Sequence, residues 1–173
     1  MNNWYVLTGA PSSGKTSVLL ALEKKGYKVV HEAAREIIDQ GLRTGKTLKQ
    51  IRRNEDEFQI NVFQLKIENE KNLSSKNLIF FDRAIPDTLA YNKLLNEANT
   101  KQLMEAVKNC SYKKVFMFEQ LEYEKDYART ESKEEADKLQ EYLKECYTEL
   151  GIEIITVPKM SIQKRTSFIL GNL

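Results

Sequence analysis

Short apolar runs alternate along the chain with longer segments in which apolar residues recur every three or four positions. The apolar runs predict β-strands at residues 4–8, 27–31, 77–82, 113–119 and 152–157. The longer segments predict helices at residues 14–25, 32–40, 48–73, 86–110, 133–150 and 161–170. This alternation is typical of an α/β fold, in which helices cover a parallel β-sheet.

Local signals mark several of the predicted helix ends. A Ser or Thr followed three positions later by Gln or Glu predicts a capping box. Proline favours the first turn of a helix, and glycine favours the position after its last turn. These signals are Thr47 with Gln50 and Ser132 with Glu135 for capping boxes, Pro86 for a helix start, and Gly41 and Gly151 for helix ends.

The composition indicates one compact unit, and we expect residues 1–173 to form a single domain. With 41% hydrophobic and 30% charged residues, a disordered or fibrous polymer is excluded. The formal net charge of +2 gives no electrostatic reason to expect nucleic-acid binding. The absence of a signal peptide and of a long apolar run predicts a cytoplasmic protein without a membrane partner. Cys110 and Cys146 are expected to be free thiols.

A phosphate-binding loop is the strongest chemical signal in the sequence. Residues 9–16 read Gly-Ala-Pro-Ser-Ser-Gly-Lys-Thr, which is the pattern of two glycines flanking four residues, then Lys and Ser or Thr. The motif follows an apolar strand and opens a helix, as phosphate binding requires. The predicted nucleotide-binding residues of this loop are Gly9, Ala10, Pro11, Ser12, Ser13, Gly14, Lys15, Thr16 and Ser17.

The residue types of this loop suit phosphate chemistry. Glycines let the backbone wrap around phosphate, so that successive N–H groups and the helix N-terminus converge on the anion. Lys15 is then a catalytic candidate that reaches the β- and γ-phosphates, and the Thr16 hydroxyl is a candidate Mg²⁺ ligand. The alternative is a tight strand-to-helix turn that carries an exposed lysine.

An acidic residue ends the third predicted strand, where Asp82 and Arg83 follow an apolar run. The carboxyl ends of parallel strands line the ligand crevice, which puts Asp82 beside the phosphate loop. We predict that Asp82 holds Mg²⁺ or accepts a proton from the attacking hydroxyl, and that Arg83 binds an anionic group of the substrate. The alternative is that Asp82 only caps the next turn.

A second acidic candidate follows the second predicted strand. Glu32 and Arg35 lie just beyond its carboxyl end, and we predict a functional role for both. Glu32 competes with Asp82 for the role of general base. A salt-bridged solvent face would show the same spacing of charges. We interpret His31, the single histidine, as a packing or capping residue.

The segment between the fourth and fifth predicted strands is highly polar. We predict a small lid at about residues 120–135, in which Arg129 binds the nucleotide and stabilises the charge of the transferred group. The alternative is a solvated loop and helix face. Pro158 ends the fifth predicted strand and is a further candidate, since an apolar turn there would pack against a nucleobase.

Together these motifs resemble the nucleoside and nucleotide kinase branch of the P-loop NTPase fold. Asp82 and Arg83 followed by Asp87 resemble the Asp-Arg motif of thymidylate-kinase-like enzymes. Glu32 resembles the acidic residue after the second strand of deoxynucleoside kinases. The order of motifs is also similar to the small P-loop ATPase group that includes the nicotinamide riboside kinase domain: the phosphate loop, Glu-x-x-Arg at 32–35, Phe-Asp-Arg-x-x-x-Asp at 81–87 and Arg-Thr at 129–130.

The resemblance implies a five-stranded parallel sheet in the order 2-3-1-4-5, with bound ATP and Mg²⁺ under a lid. Two features depart from the pattern. The lid has one clear arginine where many nucleoside monophosphate kinases have two or more, and no combination of aromatic and amide residues identifies a base or sugar. We interpret the candidates for such recognition as ordinary core and surface positions: Phe58, Gln59, Phe63 and Gln64.

The lead hypothesis is an ATP-dependent, Mg²⁺-requiring kinase that phosphorylates a small acceptor, namely a nucleoside, a nucleotide or a related metabolite. One alternative is a regulatory ATPase or switch without a small-molecule acceptor, and another is a polynucleotide end kinase, which would need a basic groove. No Asn-Lys-x-Asp motif is present, which favours ATP over GTP. The oligomeric state is left open. The predicted substrate-binding residues are Glu32, Arg35, Arg83 and Asp87.

Overall fold

A computed structural model of the chain describes residues 2–121 and 132–173. Its strands are β1 (Trp4–Thr8), β2 (Lys28–Val30), β3 (Ile79–Asp82), β4 (Lys114–Phe118) and β5 (Ile154–Val157). They form one parallel sheet in the order β2-β3-β1-β4-β5. Each strand lies within a predicted apolar run, and the sheet order confirms the order that the resemblance implied.

The helices surround this sheet. They are α1 (Lys15–Lys24), α2 (Ala33–Arg43), α3 (Leu48–Ile51), α4 (Glu55–Lys71), α5 (Asp87–Leu95), α6 (Lys101–Asn109), α7 (Lys133–Glu149) and α8 (Ile162–Leu170). Within residues 2–121 and 132–173, none of them is both long and apolar enough to cross a bilayer. The predicted lid at residues 120–135 includes residues 122–131, which lie outside the described residues, so the lid and its Arg129 stay predictions.

The central strand β1 is apolar at consecutive positions because both of its faces are covered. Val6 packs with Leu139 and Leu143 of α7 on one side of the sheet. Tyr5 and Leu7 pack with residues of α1 and α8 on the other side. A strand buried on both faces loses the alternation of polar and apolar residues that a half-exposed strand shows. The predicted α/β layering, with helices on both faces, is therefore confirmed.

The predicted helix at residues 48–73 is divided into α3 and α4. Asn54 begins α4 as its N-cap, where its side chain accepts a hydrogen bond from the Glu57 N–H at 3.3 Å. Acidic residues fill the first turn of α4, where they interact favourably with the positive end of the helix dipole. The prediction of one helix was wrong because periodicity does not register a capping residue inside a segment of helical spacing.

The predicted helix at residues 86–110 is likewise divided, into α5 and α6. Asn96 ends α5 in the left-handed conformation with φ of 56°, which asparagine adopts more readily than most residues. Thr100 then caps α6 by accepting a hydrogen bond from the Leu103 N–H at 3.1 Å. Both residues also fit a helical pattern, which explains the wrong prediction of a continuous helix.

Most of the predicted helix signals are confirmed. Both capping boxes are formed, at the start of α3 and at the start of α7. Gly151 follows the C-cap of α7 with φ of 66°, and Pro86 is the N-cap residue of α5. Gly41 is the exception, because it lies inside α2 instead of at its end. A Cβ atom on Gly41 would lie 2.6 Å from Ile51 Cδ1, so this glycine makes room for α3 to pack on α2.

This packing role predicts a coupled effect of substitutions at Gly41 and Ile51. Alanine favours a helix interior over glycine by about 1 kcal/mol, so Gly41→Ala in an Ile51→Ala background should stabilise the protein by that amount. In the presence of Ile51 the new methyl group collides with its side chain, and the gain should be lost or reversed. Denaturant unfolding of the four proteins measures the coupling. Equal gains in both backgrounds would show that Gly41 has no packing role.

Candidate active site

The phosphate loop connects β1 to α1 and depends on two glycines. Gly9 has φ of 136°, and a Cβ atom there would lie 2.7 Å from the Phe118 carbonyl oxygen. Gly14 is the N-cap of α1 with φ of 78°. No side chain caps the helix at this residue, so its first N–H groups face the loop. The N–H groups and the positive dipole at such a helix N-terminus are suited to binding an anion.

Two side chains from distant helices hold the loop from behind. Gln140 of α7 accepts a hydrogen bond from the Ala10 N–H at 2.6 Å. Arg165 of α8 donates from Nη1 to the Ser13 carbonyl oxygen at 2.7 Å. The sequence interpretation missed both residues, because nothing local in α7 or α8 indicates contact with a loop more than a hundred positions earlier.

Lys15 is folded back on its own loop. Its ammonium group donates to the carbonyl oxygens of Gly9 and Ala10, both at 2.9 Å, and to Ser13 Oγ at 3.0 Å. Burial, together with the nearby charge of Arg83, lowers the pKa of Lys15 to about 7. An incoming phosphate would replace the carbonyl oxygens with anionic acceptors and restore the charged form.

Thr16 and Asp82 meet beside the loop, as their positions in the sequence predict. Thr16 Oγ1 donates to Asp82 Oδ2 at 2.8 Å. Asp82 Oδ1 is buried and has no hydrogen-bond partner within residues 2–121 and 132–173, and burial and the charge of Glu32 raise the pKa of Asp82. An unpartnered carboxylate oxygen next to a hydroxyl is a donor set that suits Mg²⁺, which binds proteins through few oxygen ligands and keeps water and phosphate as the others.

Glu32 and Arg83 form an ion pair across the mouth of the sheet. Glu32 precedes α2, and its Oε1 accepts from Arg83 Nε at 2.9 Å. Burial raises the pKa of Glu32, but the charges of Arg83, Lys15 and Arg35 outweigh it and lower this pKa overall. Arg83 itself has φ of 65°, a conformation that is uncommon for residues other than glycine. Such a backbone is typical of functional sites, where surrounding contacts impose it.

Asp87 lies behind this ion pair and is fully buried. Its carboxylate accepts from Thr8 Oγ1 at 2.5 Å, the Ala84 N–H at 3.0 Å and Arg83 Nη1 at 3.3 Å. The Tyr147 hydroxyl also donates to it. These contacts, which include the opposite charge of Arg83, lower the pKa of Asp87 against the effect of burial. The structure therefore places Asp87 where it supports Arg83, and not on the wall that a substrate would contact.

A cleft with a cavity volume of about 120 Å³ extends from the loop and opens to solvent. Residues 13–17 form its first wall. Glu32, Arg35 and Arg83 line the next part, so the structure brings together most of the predicted catalytic and substrate-binding residues. The far wall is helix α4, where Phe58 and Gln59 face the cleft.

On this wall the sequence analysis interpreted Phe58 and Gln59 as ordinary core and surface positions, whereas both line the cleft, and it missed Val62 and Lys66. Phe58, Val62 and Lys66 recur every four positions and therefore lie on one side of the helix. Lys66 is buried and donates to the Ala84 carbonyl oxygen at 2.9 Å and to Thr88 Oγ1 at 3.0 Å. Burial lowers its pKa to about 8. The spacing of four was the available signal, but a lysine in a polar helix is ordinarily exposed.

Other candidates lie away from the cleft. Pro158 is exposed and does not line it. Phe63 packs in a core cluster with Ile85, and Gln64 donates to Gln102 Oε1 at 3.0 Å. His31 is largely exposed, 3.3 Å from a Glu23 carboxylate oxygen.

A family model described as an AAA domain matches residues 4–165. The chain belongs to this AAA domain family. The matched region of the chain begins with β1 and ends within α8. It therefore contains the phosphate loop, the Glu32–Arg83 pair and strand β3, which ends at Asp82. A search among curated proteins found no match.

Solved structures share the fold of this AAA domain. Deoxyadenosine kinase from M. mycoides with bound dATP has a TM-score of 0.69 at 16% identity, covering 98% of this chain and 97% of that chain. Thymidylate kinase from Ehrlichia chaffeensis has a TM-score of 0.68 at 13% identity, covering 98% of this chain and 97% of that chain. The NadR protein in complex with NAD and AMP-PNP has a TM-score of 0.67 at 14% identity, covering 97% of this chain and 47% of that chain. These likenesses confirm the P-loop fold of the group that the motifs resemble.

The lowered pKa of Lys15 predicts that nucleotide binding takes up a proton. At pH 8 the free protein holds Lys15 largely neutral, and a bound phosphate recharges it, so binding should consume about one proton. Magnesium-free ADP is the ligand of choice, because magnesium would also displace any proton held by Asp82. Calorimetry in two buffers of different ionisation enthalpy measures the uptake.

The matched control is Lys15→Arg, whose guanidinium stays charged and should show no uptake at pH 8. In the unsubstituted protein, uptake should also shrink as the pH falls below 7, because Lys15 is then protonated before binding. An uptake near zero at pH 8 would contradict the assignment.

Proposed function

We propose that the chain is an ATP-dependent kinase that transfers a γ-phosphoryl group to a small acceptor of the nucleoside or nucleotide class. The observation that carries this proposal is the single cleft that holds Lys15 at one end and the Glu32–Arg83 pair further along. Phosphoryl transfer requires donor phosphates and acceptor hydroxyl to lie in line within one enclosed space. Helix α4 forms the wall of the cleft on the proposed acceptor side.

The donor half of the reaction uses the phosphate loop. Its N–H groups bind the β- and γ-phosphates, and Lys15 leaves its backbone acceptors to contact them. Thr16 and Asp82 would hold Mg²⁺, which offsets the negative charge of the bound phosphates. Arg129 of the predicted lid keeps its proposed role at the transferred group.

The acceptor half of the reaction uses Glu32. Its lowered pKa keeps the carboxylate ionised at neutral pH, and it faces the cleft, whereas Asp82 is engaged with Thr16. The acceptor oxygen attacks the γ-phosphorus, its proton passes to Glu32, and the bond from phosphorus to the β-phosphate oxygen breaks to release ADP. Arg35 and Arg83 supply positive charge that orients the acceptor.

The fold supports the choice of acceptor class. The similar structures include a deoxyadenosine kinase and a thymidylate kinase, which align over almost the whole of this chain. An acceptor of that kind, present in the cytoplasm, is favoured over a polynucleotide end, because the net charge of +2 gives no sign of a basic groove.

A screen with labelled ATP tests the proposal directly. The purified protein is incubated with magnesium and with nucleosides, nucleotides, vitamins and oligonucleotide ends, each in a separate reaction. We expect one chemical class of small acceptor to yield a phosphorylated product. ATP consumption that is indifferent to every acceptor would contradict the proposal and favour a regulatory ATPase, and labelled oligonucleotides would favour an end kinase.

The substitution Glu32→Gln tests whether Glu32 or its competitor Asp82 is the general base. The amide keeps an oxygen that accepts from Arg83 but cannot take a proton, so kcat should fall by about 10²- to 10⁴-fold while ADP binding is unchanged. Glu68→Gln is the matched control, because Glu68 is exposed on α4. A Glu32→Gln variant with the kcat of the control would transfer the role of base to another residue.

A further inference from the structure

Helix α7 contacts both sides of the cleft from behind. Gln140 contacts the phosphate loop, and Tyr147 contacts Asp87 next to Arg83. Seven residues separate Gln140 from Tyr147, which puts both on the same face of the helix about 10 Å apart along its axis. Neither residue lines the cleft, so neither is placed to touch a substrate.

The Gln140 amide fills a gap where the sheet ends. The ladder between β1 and β4 stops at Thr8 and Met117, because the chain turns away at Gly9. Beyond that point the Gln140 side chain accepts from the Ala10 N–H at 2.6 Å and donates to the Phe118 carbonyl oxygen at 3.3 Å. The side-chain amide thus replaces the next backbone pair of the ladder.

This contact sets the position of Lys15. The Ala10 N–H and the Gly9 carbonyl belong to one peptide unit, which is planar, so fixing one end fixes the other. The N–H is held by Gln140, and the carbonyl oxygen accepts from Lys15 Nζ at 2.9 Å. Gln140 therefore orients the first peptide of the phosphate loop and, through it, Lys15 in the nucleotide-free protein.

Tyr147 makes the equivalent connection on the acceptor side. Its buried hydroxyl donates to Asp87, whose other carboxylate oxygen accepts from Arg83 Nη1 at 3.3 Å. Arg83 in turn donates from Nε to Glu32 at 2.9 Å. A continuous set of hydrogen bonds therefore joins α7 to the general base that we propose.

We propose that Gln140 and Tyr147 are positioning residues with which α7 aligns the donor and acceptor sides of the cleft. The alignment has a function only if the chain is a kinase, so this inference rests on the proposed function. The readouts that decide it, ligand affinity and the Arg83 resonance, are independent of catalysis.

The donor arm of the test is Gln140→Leu, which leaves the Ala10 N–H without its acceptor. An unpaired buried donor commonly costs enough to weaken binding about tenfold. We expect that loss for ADP and equally for inorganic tripolyphosphate, since the contact concerns phosphate and not the nucleobase. Glu141→Leu, at an exposed neighbouring position, is the control and should bind both ligands as the unsubstituted protein does.

The acceptor arm is Tyr147→Phe, which removes one donor from Asp87 and keeps the aromatic ring. The ¹⁵Nε resonance of Arg83 should shift in this variant, and ADP affinity should stay within about twofold of the unsubstituted protein. With an identified acceptor, its kcat/KM should fall about tenfold while the KM for ATP is unchanged.

Unchanged affinity of Gln140→Leu for both ligands would overturn the inference, as would loss of ADP affinity in Tyr147→Phe or an unshifted Arg83 resonance. Lower melting temperatures with all of these readouts unchanged would show a merely structural role. If the unsubstituted protein binds ADP but phosphorylates no acceptor, the proposed function fails, and the ADP, tripolyphosphate and Arg83 readouts still decide the contacts of α7.

Discussion

The buried carboxylate of Asp87 is the interaction on which the arrangement of the site depends. A carboxylate removed from water is costly unless donors replace its hydration. Here the donors come from the end of β1, the turn after β3 and helix α7, through Thr8, Arg83 and Tyr147 among others. Since each donor belongs to a different element, satisfying one anion fixes the relative positions of three parts of the molecule.

The two carboxylates closer to the cleft show how environment divides chemical roles. Glu32 lies among Arg83, Lys15 and Arg35, which favour its charged form. Asp82 is more deeply buried and lies near Glu32, and both effects disfavour its charged form. Environments that push two pKa values in opposite directions are a common way to assign acids, bases and metal ligands. The phosphate loop alone would not distinguish these two acids.

The parts of the structure that could be predicted are those determined by the pattern of a few consecutive residues in the sequence. Apolar runs located every strand of residues 2–121 and 132–173, and the loop motif located the turn between β1 and α1, because strand burial and the glycine-rich loop leave their signature within a few consecutive residues. Asp82 and Glu32 followed from their positions at strand ends. The helix breaks at Asn54 and Asn96 were missed because a polar capping residue can lie between apolar residues without changing their helical spacing.

The missed or misplaced residues depend on contacts between distant segments. Lys66 is buried only because the turn after β3 packs over α4 and offers it two oxygen acceptors. Asp87 matches a motif that implies substrate contact, yet the folding of α7 against α5 encloses it. Glycine is the residue type expected at a helix end, but Gly41 lies inside α2, where the side chain of Ile51 leaves no room for a Cβ atom. None of these partners can be inferred from neighbouring positions.

The contact between Arg165 and Ser13 has a consequence for how the protein matures during translation. The guanidinium is 152 positions downstream of the carbonyl oxygen that it binds. A nascent chain on the ribosome therefore exposes the nucleotide loop early but completes its support only after α8 has left the exit tunnel. Until then the loop lacks the hydrogen bond from Arg165, so its native conformation is completed only once α8 has been synthesised.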